Sequence, residues 1–234
     1  MELTPDTSII FTLGPVAINA TIFNTWLIMA ALVGVSMLVT RNLRPDVPPN
    51  RWRTMLEVIV AGIVSQIAEV TDRRDPRILY FVGTLFLFIV TANLLTVVPG
   101  FDTPTASLST TAALALSVLI AVPIFGIGSR GIGGYLKSYI EPSVVMLPFN
   151  IIGEISRGIS LAVRLYGNIM SGAVIAAILL TVAPFFFPVL MDMLGLLTGA
   201  IQAYIFAVLA TVYISSATAD PADSAPDFTK DTAP

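Results

Sequence analysis

The sequence contains no cysteine and no histidine, and these absences exclude more chemistry than any motif adds. Without cysteine there is no disulfide, no thiol nucleophile and no thiolate metal ligand. Without histidine the chain lacks the one side chain whose ordinary titration lies near neutral pH, and most zinc sites with it. Proton chemistry therefore falls to carboxylates, to the field of an arginine or to another chain. Charge is scarce too. Of the 234 residues 12% are charged and 56% hydrophobic, whereas about a quarter of a soluble domain is charged. A bilayer is the natural solvent for such a chain. The net charge of −3 comes with no basic patch interleaved with aromatics, so a nucleic-acid partner is not expected. Nor does MELTPDTSII resemble a secretory signal, which would begin basic and run into a short apolar core.

What is abundant is apolar sequence in long runs. Residues 18–40 carry no ionisable group and are long enough to cross a hydrocarbon core of about 30 Å as a helix. RNLRPDVPPNRWRT follows, a connection too polar to lie in lipid. Residues 52–69 set Glu57, Ser65, Gln66 and Glu69 among apolar residues at helical spacing, which predicts an amphipathic helix at the interface. After TDRRDPR comes a second span, 78–98, closed by Pro99-Gly100. A third, 110–128, holds Pro123 as a candidate kink, and the glycine-rich, basic GSRGIGGYLKSYIEP returns to water. Two overlong apolar stretches, 143–181 and 190–217, complete the set. About twenty residues suffice to cross, so these two are expected to tilt strongly.

The expected fold class is all-α integral membrane, with five transmembrane helices and one interfacial helix. Residues 1–17 form an extracytoplasmic segment, 18–217 the membrane domain, and the acidic, Pro/Ala-rich 218–234 a disordered tail. If the spans alternate, Arg41, Arg44, Arg51, Arg53, Arg73, Arg74, Arg77, Arg130, Lys137 and Lys230 share one side. Glu2, Asp6, Asp102 and Asp192 face the other. The positive-inside rule then puts the tail in the cytoplasm and the N-terminus outside.

Two cations remain, Arg157 and Arg164, in LPFNIIGEISRGISLAVRLYGNIMSGAV. The polar residues of that stretch are Asn150, Glu154, Arg157, Ser160, Arg164, Asn168 and Ser171, at steps of four, three, three, four, four and three. Such steps form one stripe on a helix whose opposite face is Ile, Leu, Val and Ala. An ionisable group at membrane depth is costly and normally faces a water-filled cavity or a charged partner. Glu154 and Arg157 have a bland reading, an intrahelical ion pair near the interface. Arg164 has none: it lies about 10 Å deeper and has no acidic neighbour three or four positions away. No other span offers a carboxylate at mid-membrane, which points to a counter-charge on another subunit. On the last helix Thr198, Gln202 and Tyr213 share a face, while Tyr204 and Ser215 lie elsewhere. Gln202 needs a hydrogen-bond partner, and the Arg164 stripe is the obvious one. Asn93, in the second span, reads either as packing or as channel lining.

SLAVRLYGN (160–168), the preceding LPFNIIGEISR, IQAYIFAVLATVYIS (201–215) and TANLLTVVPG together resemble subunit a of bacterial F-type ATP synthases. The likeness covers most of the chain in order. An Arg-Leu-aromatic-Gly-Asn core followed about forty residues later by Gln-Ala-aromatic-Ile-Phe is a specific pattern. The resemblance implies a stator in the plasma (inner) membrane that couples passage of H+ or Na+ to rotation of a ring of c subunits. It implies partners in the c-ring, the b subunits of the peripheral stalk and the remainder of the synthase, and it explains the overlong last pair as tilted helices packed on the ring. Arg164 would be the essential arginine, facing an ionised ring carboxylate, and Gln202 the glutamine near it. Asn150, Glu154 and Arg157 would line the cytoplasmic path, and Asn168, Ser171 and the outer part of the last helix the outer one; Thr198 and Tyr213, on the polar face of that helix, and Asp192, after the outer turn, are further candidates for ion passage. No cofactor is implied. No GxxxxGK[ST] loop occurs, so ATP chemistry belongs to partner subunits. The sequence departs from the proton-driven pattern where a glutamate and a histidine are replaced by Ala173 and Gly195, a departure found in the sodium-linked branch and in some proton-driven members. The rival readings are a secondary transporter that binds an anionic substrate at Arg164, although no repeated halves with broken helices occur, and a membrane scaffold, which leaves Arg164 unexplained.

Overall fold

The computed structural model describes residues 9–13, 16–40, 54, 57–58, 61–62, 65, 76–98, 101, 103–140, 143–182 and 187–218. A short antiparallel hairpin, β1 (Ile9–Leu13) and β2 (Val16–Asn19), leads directly into helix α1 (Ala20–Thr40). The remaining helices are α2 (Pro76–Leu94), α3 (Leu108–Ile140), α4 (Met146–Val182) and α5 (Phe187–Thr218). Hairpin aside, the described fold is all-α, with five helices long and apolar enough to cross a membrane. The hairpin was not expected, although Gly14-Pro15 between two apolar, β-branched runs is a turn signal. Of the expected interfacial helix only Thr54, Glu57, Val58, Ala61, Gly62 and Ser65 are described. Each is helical, and the Ser65 hydroxyl donates to the Gly62 carbonyl at 3.1 Å. The rest of 52–69, residues 1–8 and the tail from 219 lie outside the described residues.

The core is written in helical steps. Buried positions are Ile78, Val82, Leu85, Ile89 and Ala92 on α2, Thr111, Ala115, Val118 and Val122 on α3, and Gly199, Ala203, Phe206, Ala210 and Ile214 on α5. α5 packs against α2, α3 and α4, and α4 also packs against α3. Lipid is as apolar as a leucine, so helices of this kind gain by close contact rather than by escaping solvent, and small residues at the seams permit it. α1 stands apart, mostly exposed, and touches the bundle through Ile28 and its first turn.

Two local features shape the site. The corner after α2, built from 3-10 turns Leu95–Val97 and Pro104–Ala106, folds back so that Thr103, Thr105 and Ser107 are buried. Thr96 and Thr103 share a hydroxyl hydrogen bond of 2.8 Å that closes it. The second is a break inside α3. It falls at Gly131, where φ is 74° and ψ 164°, and Pro123, the expected kink, sits within helical backbone. A proline removes one hydrogen bond yet can be carried by a helix with a gentle bend, whereas Gly131 adopts a region essentially closed to residues with a Cβ. Beyond Gly131 the chain is helical to Ile140, so the glycine-rich connection is a short second helix rather than a loop.

Candidate functional site

The polar stripe of α4 straddles the edge of its packed face. Gly158, Leu161, Ala162 and Leu165 are the buried positions, so the face turned into the bundle is the apolar flank beside the stripe. Asn150, Glu154 and Asn168, on the near side, are half-buried, while Arg157, Ser160, Arg164 and Ser171 are exposed on the surface of the isolated chain. The stripe as a whole is therefore not sequestered in this subunit.

Several members of the stripe grip neighbouring helices. Asn150 Nδ2 donates to the Tyr139 carbonyl at 2.9 Å, and Glu154 accepts a hydrogen bond from the Tyr139 hydroxyl. Arg157 lies over the Tyr213 ring, 5.5 Å from its centroid, a cation–π contact. The intrahelical Glu154–Arg157 ion pair is not formed, because each group has a tyrosine instead. Farther along, Asn168 Nδ2 donates to the Thr198 carbonyl at 3.3 Å, and Ser171 bonds back to the Asn168 carbonyl at 3.1 Å. The next carbonyl on α5, Gly199, accepts from Asn93 Nδ2 at 2.9 Å, and Thr105 donates to Asn93 Oδ1 at 3.3 Å. Asn93 is thus a buried packing bond that also reaches a cavity wall.

Gln202 departs from expectation. It is 6% exposed, and its Nε2 has no hydrogen-bond partner. The polar link between α4 and α5 is made one turn earlier, by Asn168 to the Thr198 backbone. An unsatisfied buried donor costs about 1–3 kcal/mol.

Two cavities flank this region. The first, of about 500 Å³, lies at the start of α5. Asn168, Ser171, Thr198 and Asp192 line it together with Asn93, and the corner contributes Thr96 and Thr103. Ala173 and Gly195 line it as well, so the two positions where larger polar groups are absent open onto the same space. The second, of about 440 Å³, lies at the end of α5. It is lined from α4 by Asn150, Glu154 and Arg157, from α3 by Arg130, Tyr135 and Tyr139, and from α5 by Ser216 and Ala217. A narrow side pocket joins Glu154 and Arg157 to Tyr213.

The two large cavities share no described lining residue, and neither is lined by Arg164 or Gln202. Arg164 lies about 10 Å along the helix from Arg157 and about 6 Å from Asn168. Between the cavities the buried Leu161, Leu165, Ala203, Phe206 and Ala210 form an apolar partition. Arg164 sits at its exposed edge, and among the described residues nothing hydrogen-bonds or ion-pairs with it. Sequence reasoning missed Tyr135, Tyr139 and Arg130 on the second cavity. The two tyrosines four apart in YLKSY were the available signal, but only the reversal at Gly131 brings them to α4. Among the described residues no cluster of carboxylates could hold a metal ion.

Comparison with known proteins adds a family. The model described as ATP synthase A chain matches residues 22–215. The chain is 60% identical over 219 residues to ATP synthase subunit a 2 of a Picosynechococcus species, covering 93% of each. It is 57% identical over 218 residues to ATP synthase subunit a of Albidiferax ferrireducens, covering 93% of this chain and 94% of that one. Identity is also 57% to ATP synthase subunit a 1 of Chlorobium luteolum, over 93% of this chain and 98% of the relative.

Proposed function

Because the chain belongs to the family of ATP synthase subunit a, the non-catalytic membrane stator that forms the ion half-channels of the rotary F-type enzyme, we propose that Arg164 is the point at which its two half-paths meet without joining. The carrying observation is an exposed arginine, without an ionic or hydrogen-bond partner among the described residues, at the edge of an apolar partition with one polar cavity on either side. The chain is a multi-pass inner-membrane protein, and its family membership implies the usual c-ring and b-subunit partners. The transporter and scaffold readings lose their support with that membership.

The chemistry follows from the guanidinium, which stays protonated at any accessible pH. At the surface facing the ring it attracts an ionised carboxylate and disfavours the protonated or ion-loaded form. Each carrier must therefore discharge before passing. The same charge repels H+ or Na+, which suppresses a leak through the partition. The cavity with Asn168, Ser171, Thr198 and Asp192 is the outer half-path, wetted by amides, hydroxyls and water where Ala173 and Gly195 stand. The cavity with Asn150, Glu154 and Arg157, and Tyr213 beside it, is the cytoplasmic one. Gln202, buried with an unmet donor beside the partition, supplies a polar group toward the Arg164 site when the ring is in place. Cation placement orients the chain with its N-terminus outside and tail inside. Helices of 37 and 32 residues would be about 55 and 48 Å long, so α4 and α5 lie strongly tilted along the ring. Residues 52–69 form a helix at the cytoplasmic interface.

The test is Arg164→Ala in the whole complex, reconstituted in vesicles, with ATP-driven ion uptake as the readout. Coupled uptake should be abolished. Uptake at the wild-type rate would end this reading.

A further inference from the structure

Glu154 and Arg157 occupy the spacing at which a carboxylate and a guanidinium on one helix ordinarily pair, and both line the α5-end cavity. They are held apart from opposite sides. The Tyr139 hydroxyl donates to Glu154, and the Tyr213 ring sits under Arg157 at 5.5 Å. Tyr139 is itself fixed in three ways. Asn150 Nδ2 donates to its carbonyl, its hydroxyl is 2.8 Å from that of Tyr135, and the two rings pack with centroids 5.0 Å apart at 57°. Tyr135 in turn lies against bare backbone at Gly126, where an added Cβ would come 2.5 Å from its ring. The left-handed break at Gly131 between Gly126 and Tyr135 makes this return contact possible.

We propose that Tyr139 is a positioning residue of the cytoplasmic half-path, holding Glu154 apart from Arg157 so that the carboxylate stays available to a cation leaving the ring. This rests on the half-channel reading above. A carboxylate paired with a guanidinium is already neutralised, and a passing H+ or Na+ must displace the arginine to reach it. A phenol is a neutral donor that fills only one of the carboxylate's roughly four acceptor sites, leaving its charge and remaining lone pairs to the cavity. Glu154 is the sole carboxylate among the described residues lining that space, so its availability governs how well a cation is received there.

The measurement is ATP-driven ion uptake by vesicles carrying the whole complex, normalised to the amount assembled. Tyr139→Phe removes the donor and lets Arg157 swing to Glu154; uptake should fall about five-fold, the factor that a partly solvated ion pair is worth. Adding Arg157→Gln removes the competing cation, and the double variant should return to within about two-fold of Arg157→Gln alone. A merely structural role for Tyr139 would not be relieved by a change at Arg157. Should Tyr139→Phe reduce assembly, Tyr213→Leu frees Arg157 from the other side and should show the same rescue. Wild-type uptake by Tyr139→Phe, or a double variant as slow as the two separate losses multiplied, would overturn the proposal. If Arg164→Ala is inactive while Tyr139→Phe is unimpaired, only this inference fails. If Arg164→Ala still pumps normally, the reading beneath it fails.

Discussion

Arg164 and Gln202 carry opposite anomalies at one level of the bundle. The first is charged and exposed on an apolar helix; the second is neutral and buried with an unused amide donor. An isolated donor in a core lowers stability, so replacing it by an apolar group of similar size should be neutral or favourable. Gln202→Leu is therefore expected to leave the thermal stability of the complex within about 1 kcal/mol of wild type while ATP-driven pumping falls. Full pumping would assign Gln202 to packing alone. Gly199 gives the contrasting case. A Cβ there would lie 2.9 Å from Asn93 Cγ, and the Asn93 amide is bonded to the Gly199 carbonyl. Gly199→Ala should cost about 1–3 kcal/mol by overpacking, visible as a lower unfolding temperature of the purified complex.

At the scale of elements, periodicity made the helices and the polar stripe legible, because both depend on residues three and four apart in one segment. The steps from Asn150 to Ser171 fixed which side chains align, yet they left open which side of the stripe the bundle covers. That depends on where α3 and α5 lie, and the packed flank proved to be Gly158, Leu161, Ala162 and Leu165. The Glu154–Arg157 pair, the bland reading that their spacing allows, is not formed for the same reason. Its competitors, Tyr139 and Tyr213, come from other helices. Pro123 reads in the sequence as a candidate kink of α3, yet the backbone turns at Gly131. Its φ and ψ lie in a region that only glycine occupies at low cost, so Gly131→Ala should lose about 1–3 kcal/mol. It should also slow ion uptake by displacing Tyr135 and Tyr139. Gly128→Ala, where nothing lies within 4 Å of an added Cβ, should do neither. Equal losses from both would separate the cavity from the conformation of Gly131.

For the whole molecule, the account is a bundle that keeps two polar cavities apart by one apolar layer and puts Arg164 at the exposed edge of that layer. The missing cysteines that exclude so much chemistry make this arrangement directly measurable, since a single introduced thiol is the only one in the chain. Ser171→Cys probes the cavity at the start of α5, Ser216→Cys the cavity at its end, and Phe206→Cys the layer between. In vesicles carrying the whole complex, with its other subunits cysteine-free, a membrane-impermeant thiol reagent is applied to one face at a time and ion uptake is followed. The account predicts that Ser171→Cys is labelled and blocked only from the outer face, Ser216→Cys only from the cytoplasmic face, and Phe206→Cys from neither. Labelling of Ser171→Cys and Ser216→Cys from the same face would contradict it.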